Sequence, residues 1–287
     1  MILSSENLFL LILGIIWIIF AVIQDFRKRE VDNIWNFSLI AFVLAYRASV
    51  SAYSGNYWFL VNGILGLVIF LILGNLFYYA RLFAGGDAKL VIALGTILSL
   101  DYNWLINFKI FGMFILLFLV TGSIYVLFWS FFLVFRNWNR FRKEFVKQCK
   151  NYKALFFIAI IFALLWILFS FIQPMLILIA IVIFLFPILF VFSKSVEESC
   201  MIKSTAPDKV TEGDWLYEDI IVNGKKISAN WEGVSNEELK SIKKYYRRKI
   251  LIKKGIPFTH SFLFAFVGII IIAWNFGFQL MDHLRHL

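Results

Sequence analysis

The sequence predicts an all-α polytopic membrane protein with a small α+β subdomain before its last helix, and three observations lead there. Of 287 residues, 61% are apolar and 19% aromatic, well above the roughly 45 to 50% apolar usage of soluble domains. The apolar residues fall in continuous runs close to the ~20-residue length of a helical span, without the alternation that marks a membrane barrel. Lysine and arginine crowd into alternate gaps between those runs, 25 of 28 falling on one side of the resulting map.

Eight runs qualify, near residues 7–24, 34–50, 57–79, 83–100, 108–135, 154–172, 174–192 and 258–279. The first lacks a basic leading region and a small-residue cleavage site, so it reads as a retained span rather than a signal peptide. The fourth is short. The sixth and seventh are one apolar stretch broken only by Gln173-Pro174, where proline can form a tight turn or merely kink a helix. Six or seven spans stay possible on that ground.

The positions of the basic residues favour eight. They cluster at Arg27 to Arg29, at Arg81 and Lys89, as seven between Arg136 and Lys153, and as thirteen between Lys194 and Lys254. Only Arg47, Lys109 and Arg285 fall on the other side. The positive-inside rule then places the basic segments in the cytoplasm and both termini outside. This distribution accounts for the net charge of +10 without nucleic acid, which is not an expected partner. Interleaved aromatics in the basic segment 136–153 point to anchoring on anionic lipid.

The expected organisation follows: a membrane core over 1–135, a basic cytoplasmic loop over 136–153, a transmembrane hairpin over 154–193, a cytoplasmic subdomain over 194–257, and a last helix with its tail over 258–287. Within the subdomain, Ile220-Ile221-Val222, Asn223-Gly224 and Lys225-Lys226-Ile227 have the pattern of a hairpin with a two-residue turn. Ser235 begins a capped helix with Glu237 and Glu238 in its first turn and basic residues from Lys240 to Lys249 towards its end. Gly255-Ile256-Pro257 stops it before the last span. Two cysteines, Cys149 and Cys200, and three histidines offer neither a disulfide framework nor a zinc site. No cofactor is expected.

Chemistry is carried by two acids. Asp25 ends the first apolar run, and Asp87 follows Gly85-Gly86 at the start of the fourth. A carboxylate where a span meets its boundary is costly and usually functional. On the topology above, both face the cytoplasm. Two close carboxyls sharing one proton supply an acid and a base together, which suits hydrolysis by an activated water. Gly85-Gly86 would let an extended substrate approach or let the chain turn sharply into the fourth span.

Duller explanations exist for each. Asp87 could cap the helix that follows, Asp25 could face the basic residues after it, and Lys89 could lie at the lipid boundary or steady the motif. Other function classes also use such acids: a proton- or cation-coupled transporter, which would favour acids at the bilayer midplane and inverted repeats, or a non-catalytic assembly scaffold for a pilus or archaellum.

The motifs around these acids resemble those of the type IV prepilin peptidases, membrane aspartic peptidases of the GxGD type, and particularly the archaeal preflagellin peptidases. The family's first aspartate is followed by basic residues and an Ile-Pro-Asn-like box; here the stretch is Asp25-Phe26-Arg27-Lys28-Arg29-Glu30-Val31-Asp32-Asn33. Its glycine-x-glycine-aspartate-x-lysine motif is matched by Ala84-Gly85-Gly86-Asp87-Ala88-Lys89. The resemblance implies Asp25 and Asp87 as catalytic acids, with Gly85, Gly86, Lys89 and Asn33 in support. It also implies cleavage of short basic leaders from pilin-like or archaellin-like precursors with class III-type signal peptides, at the cytoplasmic boundary of the cell membrane.

There are departures. Ala84 replaces the first glycine, and Asp32 stands where proline is usual, making Asp32 a rival to Asp25. The four cysteines of many bacterial members are missing, so methyl transfer is not implied. Glu212-Gly213-Asp214-Trp215 and Lys254-Gly255-Ile256-Pro257-Phe258 resemble archaeal segments more weakly, and Asp214 is not expected to be catalytic.

Overall fold

A computed structural model describes residues 4–28, 31–83 and 85–276. The backbone at Ala84, Arg29 among the basic residues after Asp25, and the end of the last span with its tail lie outside the described residues. Ten α-helices dominate the described residues, and the chain is a multi-pass membrane protein. Six of its described helices are long and apolar enough to cross a membrane. They are α1 (Ser5–Lys28), α2 (Asn33–Ser54), α3 (Trp58–Tyr79), α5 (Trp104–Arg136), α7 (Lys153–Ser170) and α8 (Leu176–Val196). The fourth and eighth expected spans are shorter, α4 (Gly85–Leu98) and α10 (His260–Phe276). The 14 residues of α4 reach only about 21 Å, against a hydrocarbon thickness of about 30 Å.

The chain forms two compact units. The first comprises residues up to Leu127 together with those from Ile256 onward, and holds α1 to α4, the first part of α5, and α10. Its core includes Leu10, Ile18, Leu39, Phe70, Leu94, Phe114, Phe262 and Phe266. α4 is the most enclosed element: its residues from Leu90 to Leu98 are buried except Ile92. α3 and α4 meet through backbone, because a Cβ on Gly66 would collide with the Gly95 carbonyl and a Cβ on Gly95 with that of Gly66. Small residues at a helix interface permit such an approach.

Arg47, which charge counting places at the outer boundary, is fully buried within α2. Its guanidinium donates to Phe59 O at 2.8 Å, Ser99 O at 2.8 Å and Ile97 O at 3.4 Å, and lies 4.6 Å from the centre of the Phe59 ring. The cation thus closes the carbonyl end of α4, where the helix dipole favours positive charge.

The second unit spans Phe128–Gly255. The basic segment expected as a loop is largely a helix, α6 (Trp138–Asn151). Phe141 and Gln148 are buried one face over, packed with Val196 and Phe192 of α8 in the case of Phe141. Apolar contacts at helical spacing, rather than composition, decide its conformation. α7 and α8 are separate helices on either side of Gln173-Pro174, as the proline suggested.

A π turn, Glu197–Met201, leads into β1 (Ile202–Thr205). The polar block continues with β2 (Trp215–Leu216), β3 (Ile220–Val222), β4 (Lys225–Ile227), α9 (Asn236–Tyr245) and β5 (Ile250–Lys253). β3 and β4 pair with Val222 opposite Lys225. Asn223 (φ 50°) and Gly224 (φ 74°) give the left-handed turn that matches strand twist. Ser235 caps α9 in a reciprocal box with Glu238.

α9 ends at Tyr245, before the expected Lys249. The reason is Ile250 and Ile252: both are buried, and they need an extended chain to form the central strand between β1 and β2. Ionic contacts tie β5 to the end of α8. Glu197 meets both Lys253 and Lys194, and the Tyr217 hydroxyl donates to Glu198 Oε2 at 2.8 Å.

Candidate active site

Asp25 occupies the last turn of α1 and is 6% exposed. Its Oδ2 accepts the Thr259 hydroxyl at 2.6 Å and the Thr259 backbone N–H at 3.2 Å. Thr259 is fully buried and immediately precedes α10. The Asp25 carboxylate therefore sits at the amino end of α10, where free N–H groups and the helix dipole favour negative charge. His260 follows, its ring stacked 5.0 Å from that of Tyr125 and edge-on to Phe26.

Asp87 lies in the first turn of α4. The helix begins two residues earlier, at Gly85, so Asp87 is within the helix rather than its N-cap. The dipole argument applies again, with α4 as the helix. The chain leading into α4 packs beside the Asp25 partner Thr259: the Phe83 ring lies 6.5 Å from that of Phe258 and 5.9 Å from that of Phe262. Two acids 62 residues apart thus stand at the end of α1 and the start of α4, each beside a helix amino terminus.

Gly85-Gly86 belongs to α4 and does not form a turn before it. A Cβ on Gly86 would come 3.2 Å from Val31 N and 3.4 Å from Val31 O, closer than side chains normally sit. The missing side chain therefore lets α4 lean on the chain between α1 and α2. The Gly86 carbonyl accepts Asn36 Nδ2 at 3.3 Å. Beside Gly85 the nearest such atom is Tyr78 Cε2 at 3.8 Å, ordinary packing distance. Lys89 Nζ donates to Asn33 Oδ1 at 2.6 Å, so two other residues of the sequence motifs are brought together.

Asp32, the rival to Asp25, is engaged elsewhere. Its Oδ2 accepts Gln24 Nε2 and Lys28 Nζ, the latter at 3.1 Å, and its N–H donates to Gln24 Oε1 at 3.0 Å. These bonds fold the segment after α1 back onto α1. Asp214 accepts the Thr211 N–H at 2.8 Å within a turn of the second unit, as a loop residue does. Among the described residues, no group of three His, Cys, Asp or Glu side chains could hold a metal ion.

The region holding both acids, residues 12–136, matches the family model described as the type IV leader peptidase family. Two relatives are similar over part of the chain. The preflagellin peptidase of Methanococcus maripaludis is 33% identical over 135 residues, covering 44% of this chain and 57% of that protein. The preflagellin peptidase of Methanocaldococcus jannaschii is 30% identical over 92 residues, covering 32% and 38% respectively. The chain thus spans little more than half of the first relative and less of the second. No solved structure matches.

The matched region runs from within α1 to the end of α5. Thr259, which sequence reasoning missed, lies outside it. Its available signal was a threonine directly before the last apolar run and two residues after Pro257, the position of a helix cap. Nothing local could reveal that its hydroxyl turns to an acid 234 residues away.

Proposed function

We propose that this protein is a membrane aspartic endopeptidase that removes short basic leaders from pilin-like or archaellin-like precursors, with Asp25 and Asp87 as its catalytic pair. The observation that carries this is that Thr259 holds Asp25 while Phe83, four residues before Asp87, packs on Phe258 and Phe262 on either side of that threonine, with both acids inside the region of family similarity. A carboxyl pair holding one proton meets the needs of amide hydrolysis. The ionised member takes a proton from water as the water oxygen bonds to the scissile carbonyl carbon, while the protonated member donates to the carbonyl oxygen. When the tetrahedral intermediate collapses, the carbon–nitrogen bond breaks, the leaving amine takes a proton, and the pair again holds one.

Basic loop placement supports a site on the cytoplasmic side of the cell membrane. There a precursor's apolar helix can lie in the bilayer while its leader is presented as extended chain. Anionic lipid is the expected neighbour of α6: Arg140, Lys143, Lys147 and Lys150 are exposed away from its buried Phe141, and each such charge near an anionic surface contributes about 1 kcal/mol.

The test is cleavage of a basic-leader precursor in membranes by Asp25→Asn and Asp87→Asn, compared with the unaltered protein at equal expression. Each substitution should abolish cleavage. Retained cleavage by either variant removes that residue from the mechanism.

A further inference from the structure

The family similarity ends at residue 136, yet the hydrogen bonds to Asp25 come from residue 259. Between them the chain builds the whole second unit and returns through Gly255-Ile256-Pro257-Phe258 to start α10. The first helical end it reaches grips the carboxylate of α1. A threonine at this position commonly turns its oxygen back to cap its own helix. Here the hydroxyl proton is committed to Asp25, and the backbone N–H, one of those left without an intrahelical partner at a helix start, goes to the same oxygen.

We propose that Thr259 is a positioning residue for the catalytic pair: its two bonds to Oδ2 fix the orientation of the Asp25 carboxyl and leave Oδ1 to face the reacting water. This rests on the peptidase reading above. The full burial of Thr259 keeps water from replacing these bonds. A two-point grip on a single oxygen also fixes the side-chain torsion, which a lone bond would leave free. On this account α10 is part of the site, and the matched region is incomplete without it.

The experiment uses the full chain in detergent or membranes and a synthetic precursor with a basic leader. Thr259→Val keeps the shape and the backbone bond but removes the hydroxyl; Thr259→Ser keeps the hydroxyl. Loss of one hydrogen bond to a charged group predicts a fall in kcat of about ten- to a hundredfold for Thr259→Val, with KM within about twofold. Thr259→Ser should recover most of kcat.

A merely structural bond would lower the melting temperature and the amount of folded protein without this pattern. Unchanged kcat in folded Thr259→Val, a loss carried by KM alone, or no recovery in folded Thr259→Ser overturns the proposal. If Thr259→Val does not fold, Thr259→Ala gives the same comparison against Thr259→Ser. Failure of the unaltered protein to cut any basic-leader precursor overturns the peptidase reading itself, whereas normal cleavage by Thr259→Val overturns only this inference.

Discussion

Lys89 Nζ lies 2.6 Å from Asn33 Oδ1, joining the second turn of α4 to the first residue of α2. Each residue sits close to one acid, Lys89 two positions beyond Asp87 and Asn33 eight beyond Asp25. Their bond therefore fixes the spacing of the two motifs without touching either carboxyl. Lys89→Met and Asn33→Ala should each slow precursor cleavage. Because they break the same bond, the double variant should be little worse than Lys89→Met alone. A coupling of about 0.5 to 1.5 kcal/mol in a double-mutant cycle on kcat/KM is expected; additive losses would mean that the pair does not act as a unit.

Asp32→Asn separates two assignments that motif spacing leaves close together. The Asp32 side chain is 47% exposed, and its partner Lys28 is 62% exposed. Such a pair is worth about 0 to 1 kcal/mol, while asparagine retains an oxygen for Gln24. Asp32→Asn should cleave within a few-fold of the unaltered protein and melt within a few degrees of it. Loss of all cleavage by a folded Asp32→Asn would transfer the catalytic role from Asp25 to Asp32.

What the sequence made legible was local. Asn223-Gly224 specifies its turn through two left-handed residues, and Ser235 with Glu238 specifies a helix start within four positions. Gln173-Pro174 separates two spans because proline lacks the N–H that a continuous helix would use. The misread elements depended on distant partners. Residues 250–253 follow a lysine- and arginine-rich helix and look like its end, yet Ile250 and Ile252 fill the centre of a sheet whose other strands begin at residues 202 and 215. α6 looked like a charged loop, although Phe141 and Gln148, seven residues apart, already mark one helical face. In the candidate site, the motifs singled out Asp25, Asp87, Lys89 and Asn33 one by one, whereas the Lys89–Asn33 bond and the Thr259 bonds depend on contacts between elements far apart in the chain.

Arg47 should be a stability residue. Its guanidinium serves three carbonyls belonging to residues 59, 97 and 99, and a Cβ on Gly63 would strike its side chain. Replacing it with methionine leaves those acceptors buried without their donor, at roughly 1 to 3 kcal/mol for each one left unpaired. Part of this is offset because the costly burial of a cation is also removed. Arg47→Met should lower the melting temperature in detergent. Arg47→Lys should restore little of it, since a single ammonium lacks the planar fork that reaches separated acceptors. Full recovery with lysine would show that charge alone suffices.

The α3–α4 contact sets where Asp87 can stand, because α4 is a short helix pressed on α3 along much of its length. Gly95 and Gly66 face each other through their backbones, and Gly74 lies against Ile92 and the Ala88 carbonyl further towards Asp87. A methyl group at Gly95 meets the Gly66 carbonyl and the Phe70 side chain. The carbonyl cannot rotate away without breaking a helix, so α4 must shift. Overpacking of this kind costs about 1 to 3 kcal/mol, and a shift on the order of 1 Å at a catalytic group can cost about a hundredfold in rate. Gly95→Ala should therefore lose much more activity than its melting temperature suggests. Gly112→Ala, where a Cβ would have open space, is the control and should leave both properties near those of the unaltered protein. Equal behaviour of the two variants would show that close α3–α4 packing does not position Asp87.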